Sequence, residues 1–97
     1  MHILSKGTLR KYWLSNASSK GVLEAWYKVV KSVEWNTPNE VVEMFPRASI
    51  IPNSRVVFRL QGNDLRLIVV IDYTFKKVFV RFIGTHAEYD KIDATTI

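Results

Sequence analysis

The chain has 97 residues and a mass of 11.2 kDa, which suits one domain, because two would each fall near the length of about 40–50 residues below which burying a core is difficult. Its 47% hydrophobic and 24% charged residues exclude disordered and low-complexity classes, and the absence of cysteine excludes a disulfide scaffold and a zinc finger. The net charge of +5, from 14 basic and 9 acidic side chains, favours a polyanion or an acidic protein as partner.

Neither a membrane span nor a secretion signal is predicted. The longest uninterrupted apolar run is Leu67–Ile71, far short of the ~20 residues that a membrane helix needs. Met1–Leu4 lacks the cationic start and long apolar stretch of a signal peptide. We therefore expect a cytoplasmic protein that does not associate with membranes.

The first third of the chain predicts two helices, after a segment, Met1–Leu4, that could be a short strand but is too brief to be identified as one by itself. The first has Ser5 or Thr8 as its cap and an apolar set at helical spacing, Leu9, Tyr12 and Trp13. It is broken at residues 16–19. The second presents a stripe of Val22, Trp26, Val29, Val30 and Val33 to the core. Trp35 lies beyond this stripe and is interpreted as a lid over the core edge.

A third, short helix is predicted by the sequence Thr37-Pro38-Asn39-Glu40, which reads as a capping box with proline at the first helical position. It should end by Pro46. After Pro52 the hydrophobic period changes from 3.6 to 2, which predicts three antiparallel strands over Arg55–Leu60, Leu65–Tyr73 and Val78–Ile83. Thr85, with Glu88 three residues later, predicts a last helical turn.

Tight turns between the strands fix a register that separates two sheet faces. One face is uncharged and should be the core: Val56, Phe58, Leu60, Leu65, Leu67, Val69, Ile71, Tyr73, Val78, Val80 and Phe82. The other carries four arginines among apolar residues: Arg55, Arg59, Arg66 and Arg81 with Val57, Ile68, Val70, Phe79 and Ile83. This register sets Arg59 opposite Arg66 and Thr85 beside Arg66.

Like charges directly across a strand pair repel, so a compensating interaction is expected at Arg59 and Arg66. His86 and Tyr89 should emerge near them, and Arg clamps phosphate oxygens bidentately, which makes a phosphodiester site plausible. Arginines alternating along a strand are also commonly just the solvated face of a sheet, and histidines are often surface or capping residues. No spacing resembles a metal site, a glycine-rich phosphate loop or a nucleophile elbow.

Two segments carry a resemblance to a known family. Residues 53–67 and 80–92, with the string Gly84-Thr85-His86-Ala87-Glu88-Tyr89-Asp90 as the most specific part, resemble the HigB-type toxins of bacterial toxin–antitoxin modules. These belong to the RelE-like superfamily of ribosome-associated messenger RNA endonucleases. The similarity extends over nearly the whole chain and includes Leu23, Trp26, Tyr27 and the pair Phe45-Pro46.

The resemblance implies an α+β, RelE-like fold as a single domain over residues 1–97, with two N-terminal helices on one face of a small, mainly antiparallel sheet and a short C-terminal helical turn. It implies metal-free cleavage without a cofactor, in which the ribose 2′-OH of the RNA is the attacking group. By position, Arg66 and Arg81 would hold the scissile phosphate. Of His86 and Tyr89, one would transfer protons and the other would stack on or position a base.

The remaining roles implied by the resemblance concern RNA contacts and partners. Arg55, Arg59 and Lys91 would contact RNA, the substrate would be messenger RNA on the ribosome, and a helix-turn-helix antitoxin of the HigA type would hold the toxin silent. The cationic side chains of the first two helices could meet either ribosomal RNA or an acidic antitoxin surface, or simply be a solvated face. A non-catalytic nucleic-acid-binding module is the alternative, since it would show the same charge without needing His86 and Tyr89.

Overall fold

The computed structural model describes the backbone of residues 1–97 and every side chain except that of Asn63. The elements in chain order are β1 (His2–Leu4), α1 (Lys6–Ser15), α2 (Lys20–Lys31), α3 (Pro38–Met44), β2 (Ser49–Ile51), β3 (Arg55–Leu60), β4 (Leu65–Asp72), β5 (Lys77–Thr85) and α4 (His86–Tyr89). The fold is therefore α+β.

One five-stranded mixed sheet has the order β1-β5-β4-β3-β2. Strands β2 to β5 pair antiparallel with one another, and β1 lies at the edge of the sheet, parallel to β5. Strand β2 was not predicted, because its three residues are too few to show a period. The longest helix, α2, has 12 residues, and within the described part of the chain no helix has the length and hydropathy to cross a membrane.

Helices α1 and α2 form where they were predicted, but their ends and stripes differ in detail. Ser5 makes no side-chain cap and Thr8 lies inside α1, so the predicted cap was wrong at both positions. Leu23, Trp26 and Val30 are buried on α2, whereas Val29, expected in the core, is 40% exposed because it lies at the flank of the stripe.

The capping arrangement of α3 is partly as predicted. The hydroxyl of Thr37 accepts a hydrogen bond from the main-chain N–H of Glu40 at 3.4 Å. The carboxylate of Glu40 accepts from the main-chain N–H of Asn36 at 2.6 Å, one residue before the expected partner. The Thr37 hydroxyl thus satisfies one of the free N–H groups in the first turn of the helix, and Glu40 binds the chain just before it.

The core lies between the helices and one face of the sheet, around the ring of Phe58. Ring centroids of Trp26, Phe45 and Trp35 lie 5.5, 5.0 and 6.4 Å from that of Phe58. Trp35 is buried within this cluster, which corrects its interpretation as a lid at the core edge. The aromatic cluster packs α2 and the residues on either side of α3 against β3.

The β3–β4 register is the predicted one, with Arg59 opposite Arg66 and Leu60 opposite Leu65. The β4–β5 register is not the predicted one. Next to the turn Asp72 pairs with Lys77 and Val69 with Val80, and beyond a β-bulge Phe82 pairs with Ile68, which leaves Arg81 as the extra residue. Consequently Phe82 lies on the face of Arg66, and Ile83 packs against the core, the reverse of the prediction. Gly84, not Thr85, stands beside Arg66.

Candidate active site

The surface opposite the core carries Arg55, Arg59, Arg66 and Arg81, and is called the arginine face below. Arg55 and Arg59 lie on β3, Arg66 on β4 and Arg81 at the bulge of β5. Because three adjacent strands contribute, the four side chains meet on a surface formed only when the sheet pairs.

The repulsion expected between Arg59 and Arg66 is relieved because the two guanidinium groups have partners on opposite sides. Arg59 donates to the main-chain oxygen of Arg47 at 3.0 Å and to the hydroxyl of Ser49 on β2 at 2.5 Å. Arg66 lies over the ring of Tyr89 on α4, with 5.9 Å between its guanidinium carbon and the ring centroid. This cation–π contact holds Arg66 on the side of the arginine face that lies next to α4.

Arg66 is 5% exposed and is one of only two buried polar residues among the described side chains. Its side chain is largely enclosed by its neighbours, Tyr89 among them. Its position therefore differs from that of Arg81, which is exposed.

Arg55 and Arg81 converge on one oxygen atom. The main-chain oxygen of Ile97 accepts from Nε and Nη2 of Arg55 at 3.1 and 2.6 Å, and from Nε of Arg81 at 3.3 Å. Guanidinium N–H groups also form hydrogen bonds with phosphate oxygens, and those bonds are strengthened by the charge. The pair can thus bind an anionic oxygen without rearranging the sheet.

The segment after α4 crosses this part of the arginine face. The side-chain amide of Asn53 donates to the main-chain oxygen of Thr95 at 2.8 Å, beside the contacts of Ile97. The side chain and N–H of Thr95, followed by the side chain of Thr96 and the charge of Arg55, hold the pKa of Asp93 below its ordinary value. These donors of Arg55 and Arg81 are thus occupied by the end of this segment.

His86 and Tyr89 are positioned by the capping box that the sequence predicted at the start of α4. The N–H of Thr85 donates to the Glu88 carboxylate at 2.8 Å, and the N–H of Glu88 donates to the Thr85 hydroxyl at 3.2 Å. The N–H of His86 donates to the main-chain oxygen of Asp64 at 3.2 Å, which ties α4 to the β3–β4 turn. His86 Nδ1 lies 3.4 Å from the Asp90 carboxylate one turn later, and the imidazole is exposed.

The carboxylate of Glu88 makes this cap sensitive to acid. The N–H of Thr85, then its side chain and the charge of Lys91, hold the pKa of Glu88 below its ordinary value. Since the folded pKa is depressed, the cap is fully present above the ordinary glutamate pKa of about 4.3 and is lost as pH falls through the lower folded value. We expect the Thr85 amide resonance to follow this transition in an NMR titration from pH 7 to pH 2. Glu88→Gln is the control: it should abolish the transition at Thr85, and an unchanged titration in that variant would contradict the assignment.

Gly84 provides the space between the strand and α4. A Cβ at this position would lie 2.6 Å from Cζ of Phe82 and 3.2 Å from the Glu88 carboxylate. We expect Gly84→Ala to displace the Phe82 ring and to lower the free energy of unfolding by about 1 kcal/mol, as overpacking does. Urea denaturation measures this difference.

Gly21→Ala is the matched control for that variant. A Cβ at Gly21 has no neighbour within 4 Å, and alanine favours a helix over glycine by up to about 1 kcal/mol. The two substitutions should thus change stability in opposite directions. Equal effects would mean that Gly84 is not required for close packing.

The structure brings some of the predicted site residues together and separates others. Arg55 and Arg81 share one acceptor, the main-chain oxygen of Ile97, and Arg66 lies over the ring of Tyr89. Arg59 is directed instead toward β2, and His86 lies beside Asp90. Lys91 is exposed just beyond α4, where its charge acts on Glu88. Among the side chains that the structure describes, no three His, Asp or Glu groups are grouped so as to hold a metal ion.

Sequence reasoning missed two features of this surface. The contact of residues 95–97 with the arginine face involves main-chain oxygens, which leave no signal in a sequence. Phe82 reaches the face through the bulge, and the glycine two residues later, Gly84, is the one local sign that strand β5 is irregular there.

The chain is similar in sequence to the proteins of one family. Residues 19–92 match the HigB toxin family, described as the RelE-like toxic component of a toxin-antitoxin system. The "mRNA interferase HigB" of Escherichia coli O6:H1 is 34% identical over 94 residues, which cover 95% of this chain and 91% of the relative. The "mRNA interferase toxin HigB" of Escherichia coli strain K12 and the "mRNA interferase HigB" of Shigella flexneri are each 24% identical over 92 residues, covering 93% of this chain and 88% of the relative.

Proposed function

This chain belongs to the HigB family of RelE-like toxins, and we propose that the arginine face and α4 form the site at which it cleaves messenger RNA. The chain is the toxin component of a toxin–antitoxin system and an endoribonuclease of the mRNA interferase type. The proposal extends this to a RelE-like fold, to a partner antitoxin of the HigA type, and to messenger RNA on the ribosome in the cytoplasm.

One observation carries the choice of site: Arg55 and Arg81 converge on a single oxygen atom. A phosphate oxygen of RNA would replace the main-chain oxygen of Ile97 on the same N–H groups. Arg81 would then face the scissile phosphate, where negative charge grows in the transition state. Preorganised donors at that position are commonly the largest single contribution to catalysis.

The reaction requires no group that the chain lacks. The 2′-oxygen of the ribose attacks the adjacent phosphorus, the bond from phosphorus to the 5′-oxygen breaks, and a cyclic phosphate and a 5′-hydroxyl result. One proton leaves the 2′-OH and one reaches the departing 5′-oxygen. His86 and Tyr89, fixed on α4 by the capping box, are the groups proposed to move protons or to hold the base in line.

The other arginines are assigned supporting roles in the proposal. Arg66 orients Tyr89 through the cation–π contact and reaches the phosphate once its neighbours move. Arg59, held against β2 by Arg47 and Ser49, and Lys91, beyond α4, contact the RNA backbone on either side. Such contacts position RNA without reading its sequence.

Production of the wild-type chain alone in a bacterial host, beside an empty vector, tests the proposed function. We expect growth arrest, with new messenger 5′ ends that lie within codons if cleavage takes place on the ribosome. A folded protein that leaves both growth and messengers unchanged would favour the alternative, a non-catalytic nucleic-acid-binding module.

A further inference from the structure

A groove of about 900 Å³ lies between α1 and α2, on the side of these helices that does not face the sheet. The core fills the space between the helices and the sheet, so the groove and the arginine face lie on opposite sides of the molecule. Its volume is at the upper end of the range of about 300–1,000 Å³ for ligand pockets, so several side chains of a partner can enter it. The RNA site proposed above does not use it.

The walls of the groove are strongly cationic. The lining contains one carboxylate, that of Glu24, and five positive side chains, those of Lys6, Arg10, Lys20, Lys28 and Lys31. Two of the lysines lie over the same aromatic ring, with Nζ of Lys6 at 4.8 Å and Nζ of Lys31 at 5.8 Å from the centroid of Tyr27. The ring offsets only part of this charge, so an occupant with negative charges is favoured.

The lining of the groove is also apolar. Leu14 is 73% exposed and Trp13 is half-buried, and both line the groove with Tyr27. A phosphate backbone gains nothing by contact with an exposed leucine. An amphipathic peptide, in contrast, buries its apolar side chains against the apolar floor of the groove, formed by Trp13, Leu14 and Tyr27, and places its acidic side chains beside the basic residues of the rim. The combination therefore fits a protein segment better than RNA.

We propose that this groove binds an acidic, amphipathic segment of the partner antitoxin. The proposal rests on the assignment of the chain as a toxin with such a partner, and it adds where on the toxin the antitoxin attaches and which chemistry it presents. Since the groove lies away from the arginine face, substitutions in it should release the toxin from its antitoxin without lowering cleavage.

The test is calorimetric titration of the purified full chain with its cognate antitoxin. Arg10→Glu reverses a rim charge and Leu14→Asp places a charge on the apolar floor, and each should weaken binding at least about tenfold, as removal of a central contact does. Both residues are exposed, so thermal melts should show that the variants remain folded.

The chain offers a matched control for each variant. Lys11 is the next residue on α1, is exposed and does not line the groove, so Lys11→Glu has a similar charge change. Phe75, in the β4–β5 turn, is 71% exposed, which is close to the exposure of Leu14, and it does not line the groove. Phe75→Asp therefore also replaces an exposed apolar side chain by a carboxylate, but outside the groove. Both controls should bind the antitoxin like the wild type.

Unchanged antitoxin binding by Arg10→Glu and Leu14→Asp, or no binding by the wild type, would overturn the proposal. Loss of ribosome binding in Arg10→Glu with unchanged antitoxin binding would make the groove an RNA surface and overturn it equally. Messenger cleavage by the wild type is measured in a separate experiment. Failure of the proposed function can therefore be told apart from failure of the groove proposal, because the titration still shows whether the groove binds the antitoxin when no cleavage is observed.

Discussion

Arg81→Ala is expected to slow messenger cleavage by about 10²–10³-fold, the usual loss when one donor to a developing oxyanion is removed. Arg81 is exposed at the bulge of β5, and its Nε shares the Ile97 oxygen with Arg55, so its guanidinium is free of the core and directed at an anion site. Its removal should leave the fold intact. The measurement is the rate of cleavage of a defined messenger in a translating extract, with the 5′ ends mapped.

Two variants serve as controls for Arg81→Ala. Arg81→Lys keeps the charge but loses the bidentate geometry, so it should recover only part of the rate. Lys11→Ala removes an exposed positive charge on α1, away from the arginine face, and should cleave like the wild type. Equal rates for Arg81→Ala and Lys11→Ala would remove Arg81 from the site.

His86→Ala should slow cleavage by about 10²–10⁴-fold while leaving RNA binding unchanged, because a general acid or base contributes that much to rate and little to affinity. The imidazole is exposed and lies 3.4 Å from Asp90, which can orient it toward the substrate. Single-turnover cleavage, with binding measured on an RNA whose 2′-OH is replaced by hydrogen, separates the two quantities.

Tyr89→Phe is compared with His86→Ala, since it keeps the aromatic ring under Arg66 and removes only the hydroxyl. If His86 moves the proton and Tyr89 stacks, Tyr89→Phe should cleave within a few fold of the wild type. The opposite ranking, with His86→Ala active and Tyr89→Phe inactive, would exchange the two roles. Full activity of both variants would remove α4 from the chemistry.

Several local features were predictable because neighbouring residues in the chain decide them. The stripe of α2 follows from apolar spacing, and the capping box of α4 follows from Thr85 and Glu88 three positions apart. The alternation of β3 and β4 and the short turn between them were enough to set Arg59 opposite Arg66. In each case the interacting groups are a few residues apart or joined by one short turn.

Other features depend on groups that are distant in sequence. The bulge at Arg81 follows from how β5 fits β4, β1 and the helices together, and a slip of one residue exchanged the faces of Phe82 and Ile83. Trp35 lies in the core because Phe45 and Phe58 enclose it.

The sequence by itself therefore determined the α+β class, the helices, the β3–β4 register and the residue types of the candidate site. Only the tertiary structure decided which of those residues come together: Arg55 with Arg81 at the Ile97 oxygen, Arg66 over the ring of Tyr89, and Arg59 turned toward β2. The physical reason is that guanidinium groups on long side chains take their positions from hydrogen-bond and aromatic partners, and here each of those partners comes from another element of the fold.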